Sequence, residues 1–185
     1  MKNALLLTTI WVGILFAAYA IVYWDQGIDE PFPISVLDQE TEMSYVDPQG
    51  YFSLAVPLGW DVAEGEAVVE LVPPEADLEG WIVAVESDDL EAALDAAWEM
   101  ADPEFVGDPV SLEPLELENG ADDAVIAVYD GDETSETIYG IAQSSEGHAV
   151  VLLVRGSSEV AEAYAEDLEA ILRNLAVPAY EAILL

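Results

Sequence analysis

Few side chains in this 185-residue sequence could do covalent or acid–base chemistry. There is no cysteine, which excludes a disulfide framework, a thiolate metal site, a cysteine nucleophile and a lipidated-cysteine anchor. His148 is the only histidine. A hydrolytic triad needs such a base, but His148 follows Glu146-Gly147 at the start of an apolar run, where a polar turn residue is expected. No G-x-S-x-G occurs, and the only lysine is Lys2, so no S-x-x-K can form downstream. Among 39 acidic residues a close carboxylate pair carries no information about catalysis. Asp130-Gly131-Asp132-Glu133-Thr134 begins like a calcium loop, yet Ser135 stands where the sharp turn needs glycine and Ile141 where a bidentate glutamate belongs. A hairpin turn is the better account. Zinc and haem lack ligand sets, and no glycine-rich phosphate loop is present. Trp60, Trp81 and Trp98 could line a ligand pocket, but in a domain of this size such residues are expected in the core. No catalytic, cofactor or metal residue is predicted, and the expectation is a protein that is not an enzyme.

Charge narrows the partners. Three basic residues against 39 acidic ones give a net charge of −36. Nucleic acid is excluded, since binding it requires Lys and Arg on the phosphates. Adhesion to an anionic membrane surface fails for the same reason. Every acid lies from Asp25 onward. Two compatible readings follow: a solubility surface suited to concentrated salt, where screening removes the repulsion, or a docking face for a cationic carrier such as a basic cytochrome. A hydrophobic content of 53% is ample for a core.

The elements that would position such a domain can be read in order. Ala4–Trp24 is free of charge and, at 1.5 Å per residue, about 31 Å long as a helix, close to the bilayer core. Trp11, Phe16 and Tyr19 give it bulk, Tyr23 and Trp24 form an interfacial belt, and Thr8 and Gly13 allow close approach of a partner helix. Lys2 before it and Asp25, Asp29 and Glu30 after it place the N-terminus in the cytoplasm. Ala18-Tyr19-Ala20 offers a signal-peptide cleavage motif, but the apolar run continues to Trp24, so residues 1–24 are read as a retained signal-anchor. The expected location is the bacterial inner membrane, single-pass, with the domain periplasmic. Residues 25–44, acidic and carrying Pro31 and Pro33, read as a linker.

From Tyr51 the pattern is that of strands: 51–57, ended by Pro57 and a Leu58-Gly59-Trp60 turn, then 67–72 and 81–85. A helix follows, with Asp88 as N-cap and Glu91 in capping-box relation, its apolar face made by Leu90, Ala93, Leu94, Ala97 and Trp98. Asp102-Pro103 ends it. Strands are expected over 111–118, an edge given Pro114, and over 124–129, 137–143 and 148–154. Ser157 or Ser158 caps a last helix with Val160, Tyr164, Leu168, Ile171, Leu172 and Leu175 on its buried stripe. The tail 178–185 is apolar, and Tyr180, Ile183, Leu184 and Leu185 either pack back on the sheet or dock into a neighbouring subunit. The predicted class is α+β: a central antiparallel β-sheet flanked by helices, plus one N-terminal transmembrane helix.

The stretch Asp47-Pro-Gln-Gly50-Tyr-Phe52-Ser-Leu54-Ala-Val56-Pro57-Leu-Gly59-Trp60 resembles the opening of PsbP/Mog1-like domains, where an acidic-Gly-Phe strand runs into a Pro-x-Gly-Trp turn. The resemblance extends over residues 45–177 through the order of elements. It implies an αβα sandwich and non-enzymatic work, as in extrinsic photosystem subunits and binding modules. Phe52, Pro57 and Trp60 take core and turn roles. The functional expectation is a single-span accessory subunit of an energy-converting membrane complex, photosynthetic or respiratory. Its acidic domain would stabilise assembly or shape docking of the carrier, and its partners would be lipid and an integral membrane complex. The alternative is a free-standing anchored binding module for a small ligand or cation.

Overall fold

The computed structural model describes residues 41–65, 67–74, 78–117, 121–131, 136–145 and 147–176. The anchor expected over 1–24, most of the expected linker and the apolar tail lie outside the described residues. Among the described residues no helix is long and apolar enough to cross a membrane.

The described residues form nine strands: β1 (Thr41–Val46), β2 (Ser53–Pro57), β3 (Asp61–Glu64), β4 (Val68–Val72), β5 (Leu78–Val85), β6 (Pro109–Pro114), β7 (Asp123–Tyr129), β8 (Glu136–Ser145) and β9 (His148–Ser157). Among the described residues there are also three helices: α1 (Leu90–Ala101), α2 (Ser158–Ala163) and α3 (Ala165–Asn174). β1 and β2 make a separate two-stranded sheet; the other seven run β3-β4-β5-β9-β8-β7-β6, every pair antiparallel. β1 starts inside the stretch read as linker.

β9 sits at the centre of the large sheet, and its sequence explains why. An apolar run without alternation suits a strand covered on both faces. Val150, Leu152 and Val154 point to one face, Ala149, Val151 and Leu153 to the other, and all six are fully buried. The first face is covered by the β1–β2 hairpin with α2 and α3, through Phe52, Leu54, Trp60, Leu168 and Ile171. The second is covered by α1 through Ala93, Leu94, Ala97 and Trp98. β6 is an edge, bounded by two prolines, as Pro114 predicts.

Two local expectations are corrected. The N-cap of α1 is Asp89, not Asp88: its carboxylate accepts the amides of Glu91 and Ala92, and the Ser87 hydroxyl accepts the Asp89 amide. The last helix is two helices, broken at Tyr164, whose ring meets Trp60 edge-on at 5.4 Å. Ser157 caps the first of them. The Pro57–Trp60 turn forms as predicted: Trp60 N donates to Pro57 O, and Gly59 takes φ +83°, the left-handed position a type II turn requires.

Candidate functional site

Among the described residues, the arrangement with most chemical character lies where α1 ends over the large sheet. Helical spacing puts Leu94, Ala97 and Trp98 on the buried face and leaves Asp95 and Glu99 exposed on its flank. Asp102 ends the helix, its amide donating to Trp98 O, and the chain turns back at once. Asp102 O accepts the Phe105 amide and Asp102 Oδ1 the Glu104 amide, so the Phe105 ring falls onto Trp98, with centroids 4.2 Å apart. Tyr129, the last residue of β7, meets both rings edge-on at 5.7 and 5.4 Å, and Trp81 of β5 meets Trp98 at 6.1 Å. Gly107 fits beside this stack because a Cβ there would lie 2.9 Å from the Phe105 ring.

Between α1 and this loop is a shallow hollow of about 160 Å³, lined by Asp95, Trp98, Glu99, Pro103, Phe105 and Gly107. Trp98 is only 3% exposed, and neither its Nε1 nor the Tyr129 hydroxyl makes a hydrogen bond of normal geometry. The two groups act on each other all the same, the indole N–H toward the hydroxyl, in a geometry poorer than a native core usually reaches. Burial pushes the Tyr129 hydroxyl pKa up, and Asp95 and Glu91 add to the rise; the neighbouring Trp98 N–H works the other way.

One arginine braces the loop. Arg155 on β9 donates from Nε to Glu136 Oε1 at 2.8 Å and from Nη1 to Asp102 Oδ2 at 3.1 Å. The Glu136 hydrogen bond, more than the reach of Glu79 and Asp102, raises the guanidinium pKa. It ties the end of α1 to β8 and β9, and with it the turn carrying Phe105.

The residues singled out in the sequence are dispersed. His148 opens β9 and stacks on Tyr51 with centroids 5.3 Å apart. Trp60 is core on the opposite face, its Nε1 donating to Asp167 Oδ2 at 3.0 Å. Of the tryptophans weighed as pocket residues, Trp98 is both buried and a wall of the hollow. Residues 132–135 of the calcium-like stretch, the membrane contacts Thr8 to Trp24 and the tail residues Tyr180 to Leu185 lie outside the described residues. Among the described residues no three His, Cys, Asp or Glu side chains converge to hold a metal. Sequence reasoning missed Asp95, Glu99, Phe105, Gly107, Tyr129 and Arg155. The one available signal was Arg155, a rare cation in an acidic chain.

No protein-family model and no curated protein sequence matches the chain. Solved structures do. The solution structure of cyanobacterial PsbP (CyanoP) from Synechocystis sp. PCC 6803 is similar at TM-score 0.55 and 12% identity, over 74% of this chain and 92% of that one. A crystal structure from Bacteroides thetaiotaomicron gives 0.44 at 13% identity over 77% of this chain and 50% of that one. LpqN of Mycobacterium tuberculosis, described as involved in cell envelope biogenesis, gives 0.43 at 16% identity over 69% and 83%. The domain has the PsbP-like α+β fold.

Proposed function

We propose that this chain is a non-catalytic accessory subunit of an energy-converting membrane complex. In this reading Ala4–Trp24 holds it by one span in the bacterial inner membrane, with the PsbP-like domain on the periplasmic side. The acidic surface then serves assembly, or guides a cationic carrier such as a basic cytochrome. The observation that carries the reading is the fold likeness to cyanobacterial PsbP, which runs over 92% of that protein. The ring stack of His148 on Tyr51 is consistent with a structural histidine, so His148→Ala is expected to leave function intact.

The test is separation of native membranes in several mild detergents, followed by crosslinking from the domain. Co-migration with a larger assembly, and crosslinks to its exposed loops, are the expected results. A chain that runs alone in every detergent overturns the reading. A second reading, an anchored binding module, is favoured by one observation: the shallow hollow beside Trp98 and Phe105 at the end of α1.

A further inference from the structure

The helices that cover the large sheet are centred away from its β6 edge. α1 packs on β5, β8 and β9, α2 on β8 and β9, and α3 on β2. Beyond them, on the face shared with α2 and α3, Leu115 and Ile126 border the core but stay half-buried. Val128, two residues along β7 from Ile126, points to the same side and is half-buried too. The chain is delivered to this face as it leaves α3. Leu175 is fully buried, and its carbonyl accepts Gln143 Nε2 of β8 at 3.2 Å. Ala176 exchanges both backbone hydrogen bonds with Ser53. Gln143 pairs with Ala124 of β7, whose carbonyl accepts the Leu115 amide just past β6. Leu115, Ile126 and Val128 thus sit only one or two strands, about 5–10 Å, from the strand that Leu175 touches.

Residues 177–185 follow, and Glu181 is their one charge in a chain that carries 39 acids. Extended at roughly 3.3 Å per residue they reach about 30 Å, well beyond the distance required. We propose that this segment folds back in cis across β7 and the end of β6, with Tyr180, Ile183 and Leu184 covering Leu115, Ile126 and Val128. Two arguments select it over other occupants. A tether this short holds the segment at an effective concentration of about millimolar, which a free partner rarely matches. A second copy of the domain would bring an equally acidic surface against the exposed Glu113 and Glu116, whereas the segment brings a single carboxylate. The fold-back stands apart from the membrane complex: a chain that fails to co-migrate with any assembly would leave it untouched.

Because the chain has no cysteine, paired substitutions report proximity without background. In the full chain Ile126→Cys is combined in turn with Tyr180→Cys, Ile183→Cys and Leu184→Cys, and the thiols are oxidised with copper phenanthroline. Val125→Cys, adjacent but on the α1 face, replaces Ile126→Cys as control. At about 10 μM protein the disulfide is expected to close within one chain about a hundredfold faster than between chains, the ratio of a millimolar tether to that concentration. Ile126→Cys is expected to outpace Val125→Cys about tenfold, the ratio for a segment held by about 1.4 kcal/mol. A second measurement leaves the sheet unaltered: Ile183→Asp with Leu184→Asp should release the segment, so the Ile126 and Val128 methyl resonances broaden more in a soluble nitroxide. Equal rates from both faces overturn the proposal. So does a disulfide-linked dimer whose yield climbs with protein concentration, which would make a second copy the occupant. No crosslink from Ile126→Cys, or methyl broadening that the aspartates leave unchanged, also overturns it and assigns the segment to a partner.

Discussion

The two faces of the large sheet are closed in different ways, and two tryptophans record the difference. Trp60 is covered by the β1–β2 hairpin and α3; its ring packs on Tyr164 and its N–H reaches Asp167. That face is sealed by apolar contact, and the Trp60 N–H is satisfied, while the Tyr45 hydroxyl on the same face makes no hydrogen bond of normal geometry. Trp98 lies on the single helix over the other face, under the turn that follows it, and its N–H meets the Tyr129 hydroxyl without a hydrogen bond of normal geometry. A face closed by a single helix ends at that helix, and the rim there must be held by polar contacts. Arg155 does this, bridging Asp102 and Glu136.

The largest expected effect follows from that brace. Arg155, Asp102 and Glu136 have side chains 32%, 24% and 17% exposed, so Arg155→Gln leaves two partly buried carboxylates facing each other without a cation. A loss of about 2–3 kcal/mol is expected, below the value for a fully buried pair. Urea unfolding measures it. A change under about 0.5 kcal/mol, the surface-pair level, would mean the α1 face closes without its arginine.

Next in size is the approach of α1 to the sheet. A Cβ at Gly140 would lie 2.6 Å from Leu94 Cδ2 and 3.0 Å from Leu153 Cδ2. Gly140→Ala must push the helix or those side chains aside, at about 1–3 kcal/mol. On the other face a Cβ at Gly80 meets Leu71 Cβ at 3.3 Å, tight but short of a clash. Gly80→Ala is expected to cost less, and equal unfolding midpoints for the two would erase the contrast.

The tryptophans themselves come third. Trp→Phe removes similar volume at both positions, so the difference isolates the N–H. At Trp60 it deletes a charge-assisted hydrogen bond; at Trp98 it deletes a donor that makes no hydrogen bond of normal geometry. Trp60→Phe is expected to be more destabilising than Trp98→Phe by about 1–2 kcal/mol, read from thermal or urea unfolding. The reverse order would mean that the Trp98 N–H is satisfied in solution.

Much of this architecture was legible because it rests on local signals. The Pro57–Trp60 turn declares itself through Gly59, and the α1 core face through the spacing of Ala93, Leu94, Ala97 and Trp98. β3 was not legible: Asp61-Val-Ala-Glu64 is a mostly exposed edge strand with no alternation strong enough to see. The Asp88/Asp89 choice was also hidden, since adjacent aspartates carry one signal and only backbone geometry decides which carboxylate reaches the amides. The hollow could not be read at all. Phe105 follows a helix in an irregular turn, and Tyr129 reaches Trp98 only once β7 is in register between β6 and β8. Its residues become a set through tertiary pairing, which leaves no spacing in the chain.

The smallest expected effect tests whether the arginine brace depends on its place. Arg173 on α3 also pairs with a carboxylate, that of Glu169 one turn earlier, but the two side chains are 58% and 43% exposed. Water solvates both ions when the pair is broken, and the helix already brings them together, so little is lost with it. Arg173→Gln is expected to cost at most about 0.5 kcal/mol, and that cost should vanish in about 1 M salt. Arg155→Gln removes the same charge from the same acidic protein, yet its cost should largely survive the salt, because the stranded carboxylates are shielded from it. If salt abolishes both losses equally, charge balance rather than position gives the arginines their value, and the contrast between the faces reduces to apolar packing alone.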